Sequence, residues 1–213
     1  KDPFDNFDIQ DKIHDKFNIH PIYFVLLGDY GKYDKNISHK YFSFKKLIQK
    51  LSSKYTVGLH PSFKSNNIIN MSKIELSRGN DILNKKINIS RQHYLKILFP
   101  VTYRNLISLG MQADYSLGYA SLSGFRASIC TPFKFYDLEK EEATELVIYP
   151  FQIMDATYKY YNSETGFMSN MKNYIDWTKK YNGIFISIFH NDSFAKSEWQ
   201  DNYVNMLKYI FDD

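Results

Sequence analysis

Three of the six histidines stand where a short apolar run gives way to polar residues. His60 follows "YTVGL", His93 follows "INIS" by way of Arg91 and Gln92, and His190 follows "GIFISIF". Other runs behave alike. Asp114 lies near the end of "MQADYS", with Tyr115 beside it, and Arg126 sits inside "GFRASI". "TELVIYP" leads through "FQIMD" to Asp155, and "PIYFVLL" runs into Gly28-Asp29. Each side chain has an ordinary structural use. A strand-end histidine commonly bonds a loop, Arg91 with Asp114 reads as an ion pair, and Asp155 reads as an N-cap or turn residue. Their recurrence at the ends of successive runs is harder to reach by separate accidents. Imidazoles ligate a divalent metal and another imidazole can move protons, so the set suggests metal-assisted hydrolysis.

The elements that must position these residues alternate along the chain. A polar helical segment from about Asp5 precedes the strand "PIYFVLL" (21–27). In "HKYFSFKKLIQKLSSK" (39–54), Phe44, Leu47, Ile48 and Leu51 share one helical face. Strand "YTVGL" (55–59) comes next, then a polar helix over roughly 66–86 and the short strand "INIS" (87–90). "PVTYRNLISLG" (100–110) reads as a helix opened by Pro and closed by Gly. "MQADYS" (111–116), "GFRASI" (124–129), "TELVIYP" (144–150) and "GIFISIF" (183–189) read as strands. Helices are expected around 167–181 and 197–211, the latter headed by Ser197. Strands separated by helices imply parallel pairing, because a parallel return needs a long crossover. "GDYGKYD" (28–34) lacks the spacing of a dinucleotide-binding loop, so a barrel is favoured over a Rossmann sheet. About seven strands in one domain over 1–213 predict an α/β barrel, whose active site forms at the strands' carboxyl ends.

Composition narrows the partners. The 213 residues are 44% hydrophobic and carry a formal charge of only +4, enough apolar content for one sizeable core. No block of Lys and Arg interleaves with aromatics, which argues against nucleic acid. Aromatics reach 17%, a level suited to stacking on sugar faces and equally to a tyrosine-rich genome. Cys130 is the only cysteine, so an intrachain disulfide or a cysteine-based zinc site is excluded. That fits a reducing compartment, with a cytoplasmic location expected. No apolar run reaches membrane-spanning length, and no signal peptide is visible. The sequence opens on Lys1 rather than Met, within what reads as structure, so a piece or processed form of a longer chain is expected.

On these motifs the chain resembles the polysaccharide deacetylases, or NodB-homology proteins. "PIYFVLLGD" resembles that family's second strand, and "GLHPSFKS" stands where it carries an H-[S/T]-x-x-H metal motif. "SRQHYLKILFP" takes the place of its R-x-P-[YFW] motif, and "FISIFHND" resembles its final strand, which ends in a catalytic-acid histidine. "RQHYLK", "DYSLGYA" and "GFRAS" resemble a divergent branch associated with bacterial surface polysaccharides.

The resemblance implies an irregular (β/α) barrel and removal of N- or O-acetyl groups from a sugar with the help of a divalent metal, zinc first. It implies His60 as a metal ligand, His190 as the acid that protonates the leaving group, and Arg91 as a residue positioning base or substrate. Asp114 or Asn191 would orient His190. Arg126, Asn191, Asp155 and Tyr115 are the expected substrate contacts. The motif's second histidine falls on Lys64, which cannot ligate while protonated, and His93 is our candidate substitute. The family's first motif, with its catalytic Asp, is expected upstream of residue 1 together with the first strand. Low metal occupancy is therefore expected for this chain. The alternative is a carbohydrate-binding barrel that has lost its metal.

Overall fold

The computed structural model describes residues 2–161 and 166–211. Strands β1 (Ile22–Leu26) and β2 (Thr56–His60) run parallel, pairing Ile22 with Thr56 through Leu26 with His60. Val57, Gly58 and Leu59 are buried in succession, as expected of a strand covered on both faces. Short strands β3 (Ile89–Ser90) and β4 (Ala113–Asp114) extend the sheet in parallel. A hairpin, β5 (Phe133–Asp137) and β6 (Glu142–Ile148), completes it, with β6 parallel to β4 and the order β1-β2-β3-β4-β6-β5. A separate parallel pair joins β7 (Ile153–Met154) to β8 (Ser187–Ile188). The architecture is thus mixed α/β with a mostly parallel sheet.

Two compact units divide the chain. His20–Leu117 with Pro132–Tyr149 holds the six-stranded sheet; Lys1–Ile19, Gly118–Thr131 and Pro150–Asp213 hold the strand pair. In the first unit, α2 (Phe42–Lys54) packs on β2 and on α3 (Ile69–Leu83), while α4 (Val101–Ser108) packs on β6. Ile48 and Leu51 are the fully buried members of the face foreseen for α2. In the second unit, α1 (Phe7–Phe17) and α5 (Phe167–Lys180) both contact α6 (Ser197–Phe211). Ile153, Phe167, Met171, Ile175, Trp199, Tyr203 and Met206 belong to its core.

Three sequence expectations change. "GFRASI" is not a strand: Gly124 at φ 140° and Ser128 at φ 57° break any extended run, and the Ser128 N–H donates to the Phe125 carbonyl across a turn. "FKFYD", assigned no element from sequence, is β5. "GIFISIF" keeps ladder pairing only at Ser187–Ile188. Its remaining polar groups meet loops: the Ile184 N–H donates to the Cys130 carbonyl and the Ile186 N–H to the Gln152 side-chain oxygen.

Gly58 shows how tightly the central strand packs. A Cβ there would lie 2.6 Å from Phe24 Cε1 and 2.9 Å from Ile89 Cγ1. Gly58→Ala should therefore destabilise the protein by about 1–3 kcal/mol, read from its urea midpoint. An unchanged midpoint would show that the Phe24 ring yields without cost.

Candidate functional site

In the sheet-bearing unit, the parallel strands deliver His60 as the last residue of β2, Arg91 just after β3, and Asp114 as the last residue of β4. His93 follows Arg91 in a one-turn 3-10 helix, and its ring centroid lies 4.9 Å from that of His60. Both imidazoles are held through Nδ1. His60 Nδ1 bonds the Arg91 carbonyl, which can only accept, so that nitrogen carries the hydrogen. His93 Nδ1 donates to Asp34 Oδ1 at 2.8 Å. In the neutral rings the lone pairs then sit on Nε2.

Asp34 was not singled out from sequence. It is buried, and its oxygens also accept from the Phe63 N–H at 2.8 Å and the Lys64 N–H at 3.3 Å. One carboxylate thus fixes His93 and the loop after β2 together. The usable signal was its place in the long β1–α2 connection, since long loops in compact domains are often functional. Asp29, which does directly follow the first strand's Gly, is 73% exposed and pairs with Arg78 at 3.0 Å. Glu75 of α3 backs the same loop, accepting from the Ser62 N–H at 2.9 Å and the Ser62 hydroxyl at 2.6 Å. Burial pushes its carboxyl above the usual range, against the hydrogen bonds from Ser62 and Ser65.

Arg91 is partly buried. Its Nε donates to the Tyr115 carbonyl at 3.1 Å, and its guanidinium sits 4.4 Å over the Phe24 ring. Loss of water pulls it down to about 10, against the opposing charge of Asp114. Asp114 is fully buried and accepts from the Ser90 hydroxyl at 2.8 Å and from the Ser116 N–H and hydroxyl, both at 2.9 Å. Burial still pushes it up to about 6. Tyr115 stacks on Tyr149 at 4.6 Å with an interplanar angle of 12°, which commits one ring face to the protein.

Beside the histidine pair lies an aromatic cluster. Tyr33, Phe63 and Tyr94 have centroids 4.3 to 5.9 Å apart, and His93 is 4.6 Å from Tyr94. Tyr94 is 60% exposed, and it and Leu95 both take left-handed backbone at φ 57° and 51°. Side chains other than glycine adopt that conformation at a cost, and such strain gathers at functional sites.

The other unit places its own residues at strand ends. Asp155 directly follows β7, and His190 lies two residues beyond β8. His190 Nδ1 bonds Asp155 Oδ1 at 2.7 Å, and the His190 N–H donates to Oδ2 at 2.8 Å. Asp155 also accepts from the Ala156 N–H at 2.7 Å and from the Ser193 hydroxyl. Asp155 was expected to touch substrate; it is instead fully buried, with both oxygens taken by these donors, and it is the carboxylate that orients His190. His190 leaves 48% of its side chain open. Burial opposes charge on both partners. Their mutual attraction and hydrogen bond prevail, holding Asp155 below and His190 above its ordinary value.

Asn191 is occupied elsewhere: its side-chain amide donates to the Phe4 carbonyl at 2.9 Å, and its own carbonyl accepts from Asn6. Arg126 donates to the Gly118 carbonyl at 3.1 Å and lies 5.9 Å from the Tyr119 ring.

Whether these residues suit a metal turns on donors. His60 and His93 offer nitrogen ligands with their second ring nitrogens anchored on a carbonyl and a carboxylate, the arrangement that orients metal-binding imidazoles. They fit in kind. In number they fall short, because no group of three or more His, Cys, Asp or Glu among the described residues could hold a metal ion.

No protein-family model matches the chain, and no curated protein matches it in sequence. Among solved structures, a protein from Mycobacterium smegmatis provisionally named a polysaccharide deacetylase aligns with a TM-score of 0.65 at 12% identity, over 93% of this chain and 68% of that one. A polysaccharide deacetylase from Bacillus cereus aligns over 95% of this chain and 80% of its own, with a TM-score of 0.49 and 11% identity. Identity this low speaks to fold and not to activity. The chain shares the fold of the Mycobacterium smegmatis protein.

Proposed function

We propose that the chain is a hydrolase of the deacetylase type, taking N- or O-acetyl groups from a sugar or polysaccharide, with bacterial surface glycans as the first class to try. The observation that carries this reading is His190, half-open to solvent on a fully buried Asp155. A group so held can protonate a departing amine or alkoxide. The raised proton affinity keeps the ring charged to higher pH than an ordinary histidine. Arg91, pinned between Phe24 and the Tyr115 carbonyl, presents a fixed positive charge for an acyl or sugar oxygen. The rings of Tyr33, Phe63 and Tyr94 offer faces on which a pyranose can stack.

His60 and His93 would hold a divalent ion, zinc first, through their Nε2 atoms. When bound there, such an ion would supply polarisation of an acyl carbonyl and a more acidic water. Asp34 and the Arg91 carbonyl keep the two imidazoles aimed. With two ligands where stable catalytic sites offer three, zinc should be retained substoichiometrically and removed by EDTA, as measured by elemental analysis. Asp34→Ala should weaken zinc binding about 10–100-fold. If replacing both His60 and His93 with Ala leaves zinc retention unchanged, these two residues are not the metal site.

A second reading, a carbohydrate-binding module without catalysis, is favoured by Lys64 standing where a second metal histidine is expected. Acetate release from acetylated chitooligosaccharides and acetylated cell-wall glycan separates the two. Glycan binding without acetate release, at saturating zinc, would establish the module and remove the hydrolase.

A further inference from the structure

Behind Asp155 lies a second polar layer whose use is not exhausted by packing. Lys159 sits in the π-helical stretch Thr157–Tyr161, a geometry that recurs at functional sites. Its side chain is only 10% exposed, and its ammonium donates to Asp192 Oδ2 at 2.8 Å and to Ser193 Oγ at 2.9 Å. An ammonium has only hydrogens to offer, so Ser193 must accept from it. The serine's own hydrogen is thereby directed at Asp155 Oδ2, which it contacts. Donation thus runs from Lys159 through Ser193 onto Asp155, and His190 donates to the same carboxylate from the other side.

We propose that Lys159, Ser193 and Asp192 form a positioning relay that holds Asp155 in register beneath His190 and sets the proton affinity of that imidazole. The relay rests on the reading of His190 as the proton donor, and it deepens that reading by naming residues that act through Asp155 without touching substrate. The charges acting on the ring come from three segments: Asp155 after β7, Lys159 in the π-helical stretch, and Asp192 in the 3-10 turn Asn191–Ala195. Their signs oppose one another. Asp155 and Asp192 favour the protonated ring, while Lys159 disfavours it. Partial burial of Lys159 opposes its charge, yet its bond to Asp192 and the charges of Asp155 and Asp192 keep its affinity for a proton above the ordinary value. The cation therefore persists wherever His190 titrates. It offsets part of the pull that the two carboxylates exert on the His190 proton.

The opposition yields a test of sign. In Lys159→Met the ring loses a repelling charge and Asp192 loses its counter-ion, so the two effects add and the His190 pKa should rise. In Asp192→Asn the ring loses an attracting charge and Lys159 stands uncompensated, so it should fall. Each shift should reach several tenths of a pH unit, the scale for one partly screened charge nearby. The measurement is a 1H–15N NMR titration of His190 in the folded chain, with Lys159→Arg expected to restore the wild-type value and Lys172→Met expected to leave it unmoved. Shifts of opposite sign support the relay. An unmoved His190 in both variants, or shifts of one sign, overturns it. If Lys159→Met does not fold, Asp192→Asn on its 28% exposed side chain decides alone. Acetate release is assayed separately: an inactive wild type with the predicted titrations would sink the hydrolase reading and leave the relay standing.

Discussion

Replacing His190 with alanine should lower acetate release by about 10²–10⁴-fold, the usual contribution of a positioned general acid. The half-open ring contributes little to the core, so the variant should keep its fold, while the loss of Asp155's charge partner should lower its melting temperature, most clearly below pH 6.5. Its zinc content should also be unchanged, because a proton donor acts on the leaving group and not on the ion. Loss of zinc together with activity would make His190 a ligand and reverse the assignment of roles. The wild-type rate should fall on the alkaline side as the imidazolium deprotonates. Since Asp155 holds His190 above its ordinary 6.5, that limb lies above 6.5. In Lys159→Met it should move further up.

Asp155→Ala is expected to have the largest effect on stability. Asp155 receives donors from Ala156, His190 and Ser193, and Ser193 in turn carries the Lys159 ammonium. Removing the carboxylate takes the charge partner from His190 and strands several donors at once, while Lys159 keeps its pair with Asp192. The cost should be about 3 kcal/mol by urea unfolding, at the low end for breaking a buried pair because the His190 side is half-open to solvent. The effect depends on pH in a defined sense. Asp155 is depressed below its ordinary 3.8, so its contribution is complete above that value and is lost as pH falls through the folded pKa. His190 is raised above 6.5, so its contribution is complete below 6.5 and is lost as pH rises through the folded pKa. The difference between wild type and Asp155→Ala should therefore peak between about 4 and 6.5. A flat difference across pH 3 to 9 would mean that the charges do not carry the pair, on the same linkage argument.

Local pattern determined a good part of this protein. Helical spacing of Phe44, Leu47, Ile48 and Leu51 placed α2, and the apolar runs ending at Leu27 and Leu59 placed β1 and β2, because the side of each element that meets the core carries its apolar residues. The alternation of strand and helix implied parallel pairing, and with it the delivery of His60, Arg91 and Asp114 at carboxyl ends. Tertiary structure decided what those residues do. Asp34 and His93 are brought to 2.8 Å from positions far apart in sequence, and no spacing rule announces such a contact. Asp155 resembled any turn aspartate until the fold closed Ser193 and His190 over it, and Lys159 resembled any surface lysine until a π-helical turn carried it inward. The failure of "GFRASI" as a strand is partly of this kind: the Gly124 N–H donates to the distant Gln152 carbonyl, while Ser128 closes a local turn onto Phe125, and the apolar pattern encodes neither bond. Periodicity records which face of an element meets the core. Which polar groups meet one another depends on the crossing of loops, and that is settled only when the chain is folded.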